Sequence, residues 1–303
     1  MSSELKEVER ALGDIARSEV AIGPFTTYRV GGRAALFVEP DTGAHLERLV
    51  AALAGRSVGV LVLGRGSNML VSDSGWPGIA VRLGAGFSRV ESEESLLVAG
   101  GAAAYPIVAR RCAALGLSGL EWAVGIPGSV GGGVRMNAGG HGSETSEHLA
   151  ACRIVDLGKG SDTWRRACEL DLSYRHSAIS RTEIVLEATF TLAMADRDEV
   201  SARIAEIVAW RRANQPGGQN AGSVFTNPPG DSAGRLIEAA GLKGLRMGSA
   251  AVSDKHANFV QADPAGSAGD VARLVERVQK EVAHRLGVEL SVELEMVGFT
   301  RAT

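Results

Sequence analysis

The sequence predicts an α+β protein built from about two domains. Its 303 residues exceed the usual size of one domain and favour roughly two. Helical and short extended patterns are mixed along it, without the strict βαβα rhythm of a doubly wound sheet. Hydrophobic residues make up 45% and charged residues 22%, a soluble globular balance able to bury one or two cores.

The elements read as follows. Residues 3–18 form a short amphipathic helix, and 26–38 a strand interrupted at Gly31-Gly32. Residues 44–53 carry Leu46, Leu49, Val50 and Leu53 on one helical face. The apolar run 58–63 is a strand that leads into Gly64-Arg65-Gly66-Ser67-Asn68. Short strands follow at 79–83 and 96–99, then a helix at 105–115 with Gly116 as its C-cap. Strands resume at 151–156 and 184–192. Helices cover 198–212, 233–240 and the stretch starting near 268, and 288–297 reads as a last strand. Ala195-Asp196-Arg197-Asp198 separates a strand from a helix, which places a domain boundary near residue 195.

Charge and cysteine usage narrow the function. A net charge of -3 gives no basic excess for nucleic acid, and no polybasic block marks a membrane surface. No apolar run approaches the ~18 residues of a membrane span, and the N-terminus has no signal-like apolar segment. Cys112, Cys152 and Cys168 are widely spaced, which supports neither a disulfide framework nor a zinc site and fits a reduced, cytoplasmic compartment. The histidines do not make metal spacing. No obligate protein partner is evident.

Glycine is the compositional oddity, with 39 residues where a share of roughly 7% is usual. Two clusters stand out. Leu63-Gly64-Arg65-Gly66-Ser67-Asn68-Met69-Leu70 leaves a strand with little side-chain bulk and offers backbone N–H groups with Ser67 and Asn68 as donors. Gly125 to Gly133, followed by Asn137-Ala138-Gly139-Gly140, is a second bare stretch. Two phosphate-sized nests suggest a pyrophosphate, hence a dinucleotide or a nucleotide sugar. Neither cluster fits a Walker A loop or a helix-opening dinucleotide fingerprint.

An ordered series of motifs then resembles one family. Thr27-Tyr28-Arg29-Val30-Gly31-Gly32, the stretch Leu63 to Leu70, Gly125-Ile126-Pro127-Gly128-Ser129-Val130-Gly131-Gly132 with Met136-Asn137-Ala138-Gly139, and Tyr174-Arg175-His176-Ser177 occur in that order. Gln215-Pro216, Ala221-Gly222-Ser223-Val224-Phe225-Thr226-Asn227-Pro228, Ala239 to Gly244 and Val252 to Phe259 complete it. Together they resemble the UDP-N-acetylenolpyruvoylglucosamine reductase (MurB) family, and the short gap between Arg175 and Ser223 resembles its shorter subclass, without an inserted tyrosine loop. The resemblance implies a helical segment at 1–20, an FAD-binding domain of the vanillyl-alcohol-oxidase (PCMH) type at 21–195, and a smaller substrate domain at 196–303. It implies non-covalent FAD, NADPH as hydride donor, and reduction of an enolpyruvyl ether on UDP-N-acetylglucosamine in peptidoglycan precursor synthesis.

Residue roles carry over by the same resemblance. Arg175 is implied as the carboxylate clamp, since a guanidinium meets a carboxylate in a planar fork. Ser223 is implied as proton donor and, by a count along the last strand, Glu293 as the catalytic glutamate, with Glu295 the alternative. Desolvation and a nearby carboxylate are expected to favour protonated Glu293. The cofactor is expected on Gly64, Arg65, Gly66, Ser67, Asn68, Met69 and Leu70, and on Gly125, Ile126, Pro127, Gly128, Ser129, Gly131, Gly132, Asn137, Ala138 and Gly139. Tyr174, Asn227 and His256 are expected substrate contacts. Three positions depart from the family pattern: Asn214 and Thr226 stand where lysines are usual, and Gly133 where alanine is common. Arg211, Arg212 and Lys243 are the candidate replacements for the missing charge. Two rival readings differ in kind: another FAD-dependent oxidoreductase of the same fold, an oxidase, and a nucleotide-binding module without redox activity.

Overall fold

The computed structural model describes residues 1–299. The chain forms two compact units that interleave along the sequence. The first holds Met1–Ser18, Ala35–Arg65 and Gly78–Arg211; the second holds Glu19–Ala34, Gly66–Pro77 and Arg212–Thr303. The sequence reading draws a single boundary near 195, but cores are assembled by long-range burial that no local composition shift announces.

In the first unit, α1 (Ser3–Leu12) starts at Ser2, whose hydroxyl accepts from the Leu5 N–H, and buries Leu5, Val8 and Leu12. It stops six residues short of the sequence expectation because Gly13 takes φ +52 and caps the helix, after which Ala16–Ala21 is a strand. α2 (Gly43–Leu53) is capped by Thr42 and packs Leu46, Leu49 and Leu53 into one core with Leu5, Val8 and Leu12. α3 (Tyr105–Leu115) ends at Gly116, in the left-handed conformation at φ 73, as its sequence predicts. A five-stranded antiparallel sheet runs in the order 162–166, 149–156, 183–191, 96–100, 90–93. Its apolar face joins Tyr105, Val108, Cys112 and Trp122 in the other core of this unit. α4 (Val130–Arg135) packs on strand 183–191, and α5 (Arg197–Asn214) buries Val200 and Ile204.

The second unit wraps α6 (Ala233–Ala239), α7 (Ala268–Leu286) and a three-stranded sheet (246–247, 250–252, 260–262) around one core. Tyr28, Val30 and Leu70 belong to that core, which is why their segments sit with the C-terminal third of the chain. Gly31 and Gly32 allow the close approach this requires. A Cβ on Gly31 would lie 2.5 Å from the Val71 carbonyl oxygen, and one on Gly32 2.4 Å from that of Asp73. The expected strand from 26 therefore begins only at Arg33, since Arg29 and Gly31 take positive φ. The expected strand 288–297 also shortens, to Glu295–Val297, paired in parallel with Met69–Val71. Residues upstream of it spend their backbone groups elsewhere: the Leu290 carbonyl accepts from Gln279 and the Ser291 carbonyl from Thr226.

Candidate active site

The first unit contains a cavity of about 620 Å³, open to solvent, between the glycine stretches. Gly64, Arg65, Ser129, Gly131 and Gly132, all expected on the cofactor, line it. Arg65 Nε donates to the Pro127 carbonyl at 3.2 Å and so ties the two stretches together. The second stretch is not a bare loop. Glu121–Gly125 is a turn of 3-10 helix and Val130–Arg135 is α4, capped by the Ser129 hydroxyl, which accepts from Gly132 N–H at 3.3 Å. The Gly131 N–H is likewise used, by the Gly101 carbonyl. Arg82, Arg135, Gly101 and Ala102 also line the cavity and escaped the sequence reading. Arg135 falls between the quoted motif pieces Gly125–Gly132 and Met136–Gly139; Arg82 lies in no motif, so only the fold reveals it.

Asn137, Ala138 and Gly139 serve a different purpose. Asn137 is fully buried, and its amide donates to Glu144 and to the Ser173 carbonyl, both at 2.9 Å, while its oxygen accepts from Ser146 N–H. That fixes the tight turn Ser173–His176, whose two end residues bond to each other and whose tip is Tyr174-Arg175. Arg175 has φ +57, a left-handed backbone uncommon outside glycine and held here by the bonds on either side. Its Nη2 donates to the Gly139 carbonyl at 3.0 Å and its guanidinium lies over the Tyr174 ring at 4.7 Å. Nearby in this unit, half-buried Arg211 packs on Gly125, and His141 meets Trp210 edge-on at 5.1 Å. Burial, with the charge of Arg211, keeps His141 below the usual histidine pKa.

The second unit brings Ser223 and Glu293 together through their main chains. The Glu293 N–H donates to the Val224 carbonyl at 2.8 Å, and Phe225 bridges Val292. On its other edge, Ser223 bridges Phe259. Ser223 is half-buried, and among the described residues its hydroxyl engages no hydrogen bond. Asn68, expected on phosphate, gives its side-chain amide to the Glu293 carbonyl at 3.1 Å and its own carbonyl to the Glu295 N–H. Gly66, Ser67, Met69 and Leu70 fall in this unit too, with Leu70 fully buried. His256 accepts from Asn258 N–H through Nδ1 and packs on Phe259; burial lowers its pKa and keeps it neutral, with the proton on Nε2. Asn227 caps the start of α6 by accepting from Ala233 N–H at 3.0 Å. Lys243 is ion-paired with Glu238 at 2.8 Å.

Comparison with known proteins now decides the family. The chain is 43% identical over 289 residues to UDP-N-acetylenolpyruvoylglucosamine reductase of a Synechococcus species, covering 93% of this chain and 94% of that one. The chain belongs to the UDP-N-acetylenolpyruvoylglucosamine reductase family. The Bacillus subtilis member is 36% identical over 301 residues, covering 98% of both chains. The family model for the reductase's C-terminal domain matches residues 214–297, and one for an FAD-binding domain matches 34–163. The crystal structure of the Thermus caldophilus member, at 36% identity, covers 93% of this chain and 99% of its own with a TM-score of 0.82. The α+β expectation stands with it.

The residues of the first unit fit FAD. The walls of the cavity come within contact of the glycine backbone: a Cβ on Gly64 would lie 2.8 Å from Ser129 Oγ, and one on Gly101 1.9 Å from the Val185 carbonyl oxygen. Those glycines let neighbouring segments of the first unit close together around the cavity. Arg65, Arg82 and Arg135 bring three guanidinium groups to this lining, a chemistry suited to a pyrophosphate, with Arg82 also 3.8 Å from Glu39; the lining carboxylate, Glu183, is paired with Arg165. No helix of the described residues is long and apolar enough to cross a membrane.

Proposed function

We propose that the chain reduces the enolpyruvyl ether of UDP-N-acetylglucosamine enolpyruvate to the lactyl ether of UDP-N-acetylmuramate with NADPH, a step of peptidoglycan precursor synthesis carried out in the cytoplasm. The observation that carries it is the Ser223 segment, whose hydroxyl engages no hydrogen bond among the described residues, bonded through Val224 to the main chain of Glu293 in a chain of this family. FAD held in the first unit's cavity, lined by Gly64, Arg65, Arg82, Gly131, Gly132 and Arg135, would supply hydride transfer from NADPH to the enolpyruvyl group. The protein must then handle the negative charge left on the neighbouring carbon and its carboxylate.

Arg175 is the group for the carboxylate. Its turn is braced by Asn137 and Gly139, so the guanidinium is oriented before the substrate arrives, and a preformed donor stabilises charge as it develops. Ser223 Oγ–H hands its proton to the carbanionic carbon and recovers one from water; a positioned acid of this kind contributes about 10²- to 10⁴-fold. Glu293 is favoured over Glu295 as its partner, because Glu293 bonds to the Ser223 strand whereas Glu295 pairs with Met69. Tyr174, held under the Arg175 guanidinium, is a substrate contact on the same turn. With Lys243 committed to Glu238, Arg211 and Arg212 remain the candidate replacements for the charge missing at Asn214 and Thr226.

The deciding experiment is a visible spectrum through one turnover. Flavin absorbance should vanish on adding NADPH and return on adding the enolpyruvyl substrate; a reduced flavin that the substrate cannot reoxidise ends the proposal. Ser223→Ala should slow that reoxidation by about 10²-fold or more while leaving reduction by NADPH nearly untouched.

A further inference from the structure

We infer that Asn258 is the positioning residue for Ser223: its side chain takes the place of a neighbouring strand and sets where the Ser223 hydroxyl stands. This rests on the proton-donor reading of Ser223 given above.

Asn258 is 3% exposed, and all three of its bonds toward the Ser223 segment are to main chain. Its amide nitrogen donates to the Phe225 carbonyl at 2.8 Å, and its amide oxygen accepts from the Phe225 N–H at 3.0 Å. Its own carbonyl accepts from Val224 N–H at 2.9 Å. A primary amide has the same donor and acceptor pair as a peptide unit, so this bidentate clasp continues a ladder where the backbone itself cannot. Val224 and Phe225 are both 1% exposed, so water offers their N–H and C=O groups no substitute.

The clasp is itself rigidly mounted. Ser253 N–H donates to the Phe259 carbonyl at 2.8 Å, Phe259 N–H to the His256 carbonyl at 3.0 Å, and the Ser253 hydroxyl accepts from the Lys255 and His256 N–H groups. His256 then receives the Asn258 N–H on Nδ1, at 3.2 Å. His256, expected at the substrate, thus orients Asn258. On the far edge, the Val224 carbonyl is held by the Glu293 N–H and Thr226 N–H by the Ser291 carbonyl. Ser223 precedes this doubly clamped pair and follows Gly222, which takes φ +75 and is free to turn. The hydroxyl has no bond of its own, so its position is inherited from the clamp.

Asn258→Leu keeps the branched, four-heavy-atom side chain and removes both side-chain bonds. Asn258→Asp keeps the acceptor for the Phe225 N–H and sets a carboxylate oxygen against the Phe225 carbonyl. In either variant, reoxidation by the enolpyruvyl substrate should slow about 10- to 100-fold, the cost of misplacing a reacting group by an ångström or less. The solvent deuterium isotope effect on that step should rise, since proton delivery becomes limiting. Reduction by NADPH should stay within about 2-fold. Amide exchange at Val224 and Phe225 should accelerate in the protein before any substrate is added. In a Ser223→Ala background, the Asn258 substitution should add no more than about 2-fold. Equal slowing of both half-reactions, or full multiplicative slowing on top of Ser223→Ala, overturns the inference. If Asn258→Leu does not fold, the Asp variant carries the same comparison. A Ser223→Ala enzyme with unslowed reoxidation removes the proton-donor reading itself, a result distinct from normal reoxidation in the Asn258 variants alone, which removes only the inference.

Discussion

Replacing Gly133 with alanine tests how tightly α4 is seated. Gly133 is helical and buried, and alanine in a helix is ordinarily favoured over glycine by about 1 kcal/mol. Here the added Cβ would lie 1.8 Å from Tyr105 Cε2 and 2.8 Å from its hydroxyl oxygen, against a normal carbon–carbon contact of roughly 3.5–4.0 Å. The ring cannot swing aside freely. Tyr105 is 0% exposed, stacks obliquely on Trp122 at 5.6 Å, and bonds the Thr145 hydroxyl at 3.0 Å. Overpacking of this kind costs about 1–3 kcal/mol, and displacing the ring costs about 1 kcal/mol more if the Thr145 bond is lost. After the propensity gain, Gly133→Ala should lose about 1–3 kcal/mol, a fall in Tm of several degrees. The same helix presents Gly131 and Gly132 to the cavity, so flavin affinity should fall as well. Denaturant unfolding and flavin titration of the variant, alone and with Tyr105→Leu, give both readings. The double variant should be more stable than the sum of the single losses. A Gly133→Ala protein at least as stable as the parent would refute the packing argument and show that helix propensity prevails.

Other outcomes follow from the same structure. Glu293→Gln should impair reoxidation by substrate much more than Glu295→Gln, and the reverse order in stopped-flow traces would move the acid two residues along. Tyr28 is fully buried with its hydroxyl unpartnered, so Tyr28→Phe should raise stability by about 1 kcal/mol in urea melts; a loss would mean the hydroxyl is satisfied in solution. The Asp73 carboxylate accepts from Ser267 Oγ, Ala268 N–H and Gly269 N–H at the start of α7. Burial works to raise its pKa, but those bonds outweigh it and hold the group below the ordinary carboxylate value of about 4. Its stabilisation is therefore complete above that pH and is lost as pH falls through the lower, folded value. Asp73→Asn should be less stable near neutrality and flatten that part of the acid-unfolding curve; an unchanged curve would assign the acid sensitivity elsewhere.

What the sequence discloses follows a physical divide. Local signals were reliable: Tyr105–Leu115 with its Gly116 cap needs only periodicity and a left-handed glycine, and the structure has both. The glycine stretches pointed to a pocket because backbone without side chains has few other uses, and Gly64, Ser129, Gly131 and Gly132 line it. Signals that depend on distant partners did not show. Asn68 and Asn137 stand in motifs that place them on the cofactor, and no motif shows that the Asn137 side chain also braces the turn at Ser173 or that Asn68 holds the main chain at Glu293. The last strand looked continuous because its pattern alternates, but the carbonyls at Leu290 and Ser291 answer to Gln279 and Thr226, which pattern cannot reveal.

The interleaved order of the second unit sets the timetable on which it can fold during synthesis. Tyr28, Val30 and Leu70 leave the ribosome early, but the residues that cover them, from Ala221 to Leu294, arrive only with the last third of the chain. Strand Met69–Val71 waits longest of these, since its partner Glu295–Val297 is made more than 200 residues later. These early segments must stay uncommitted, exposed and prone to wrong pairing, while the chain between them is translated. A nascent chain halted before Glu295 should therefore expose Leu70 to protease and to chaperone.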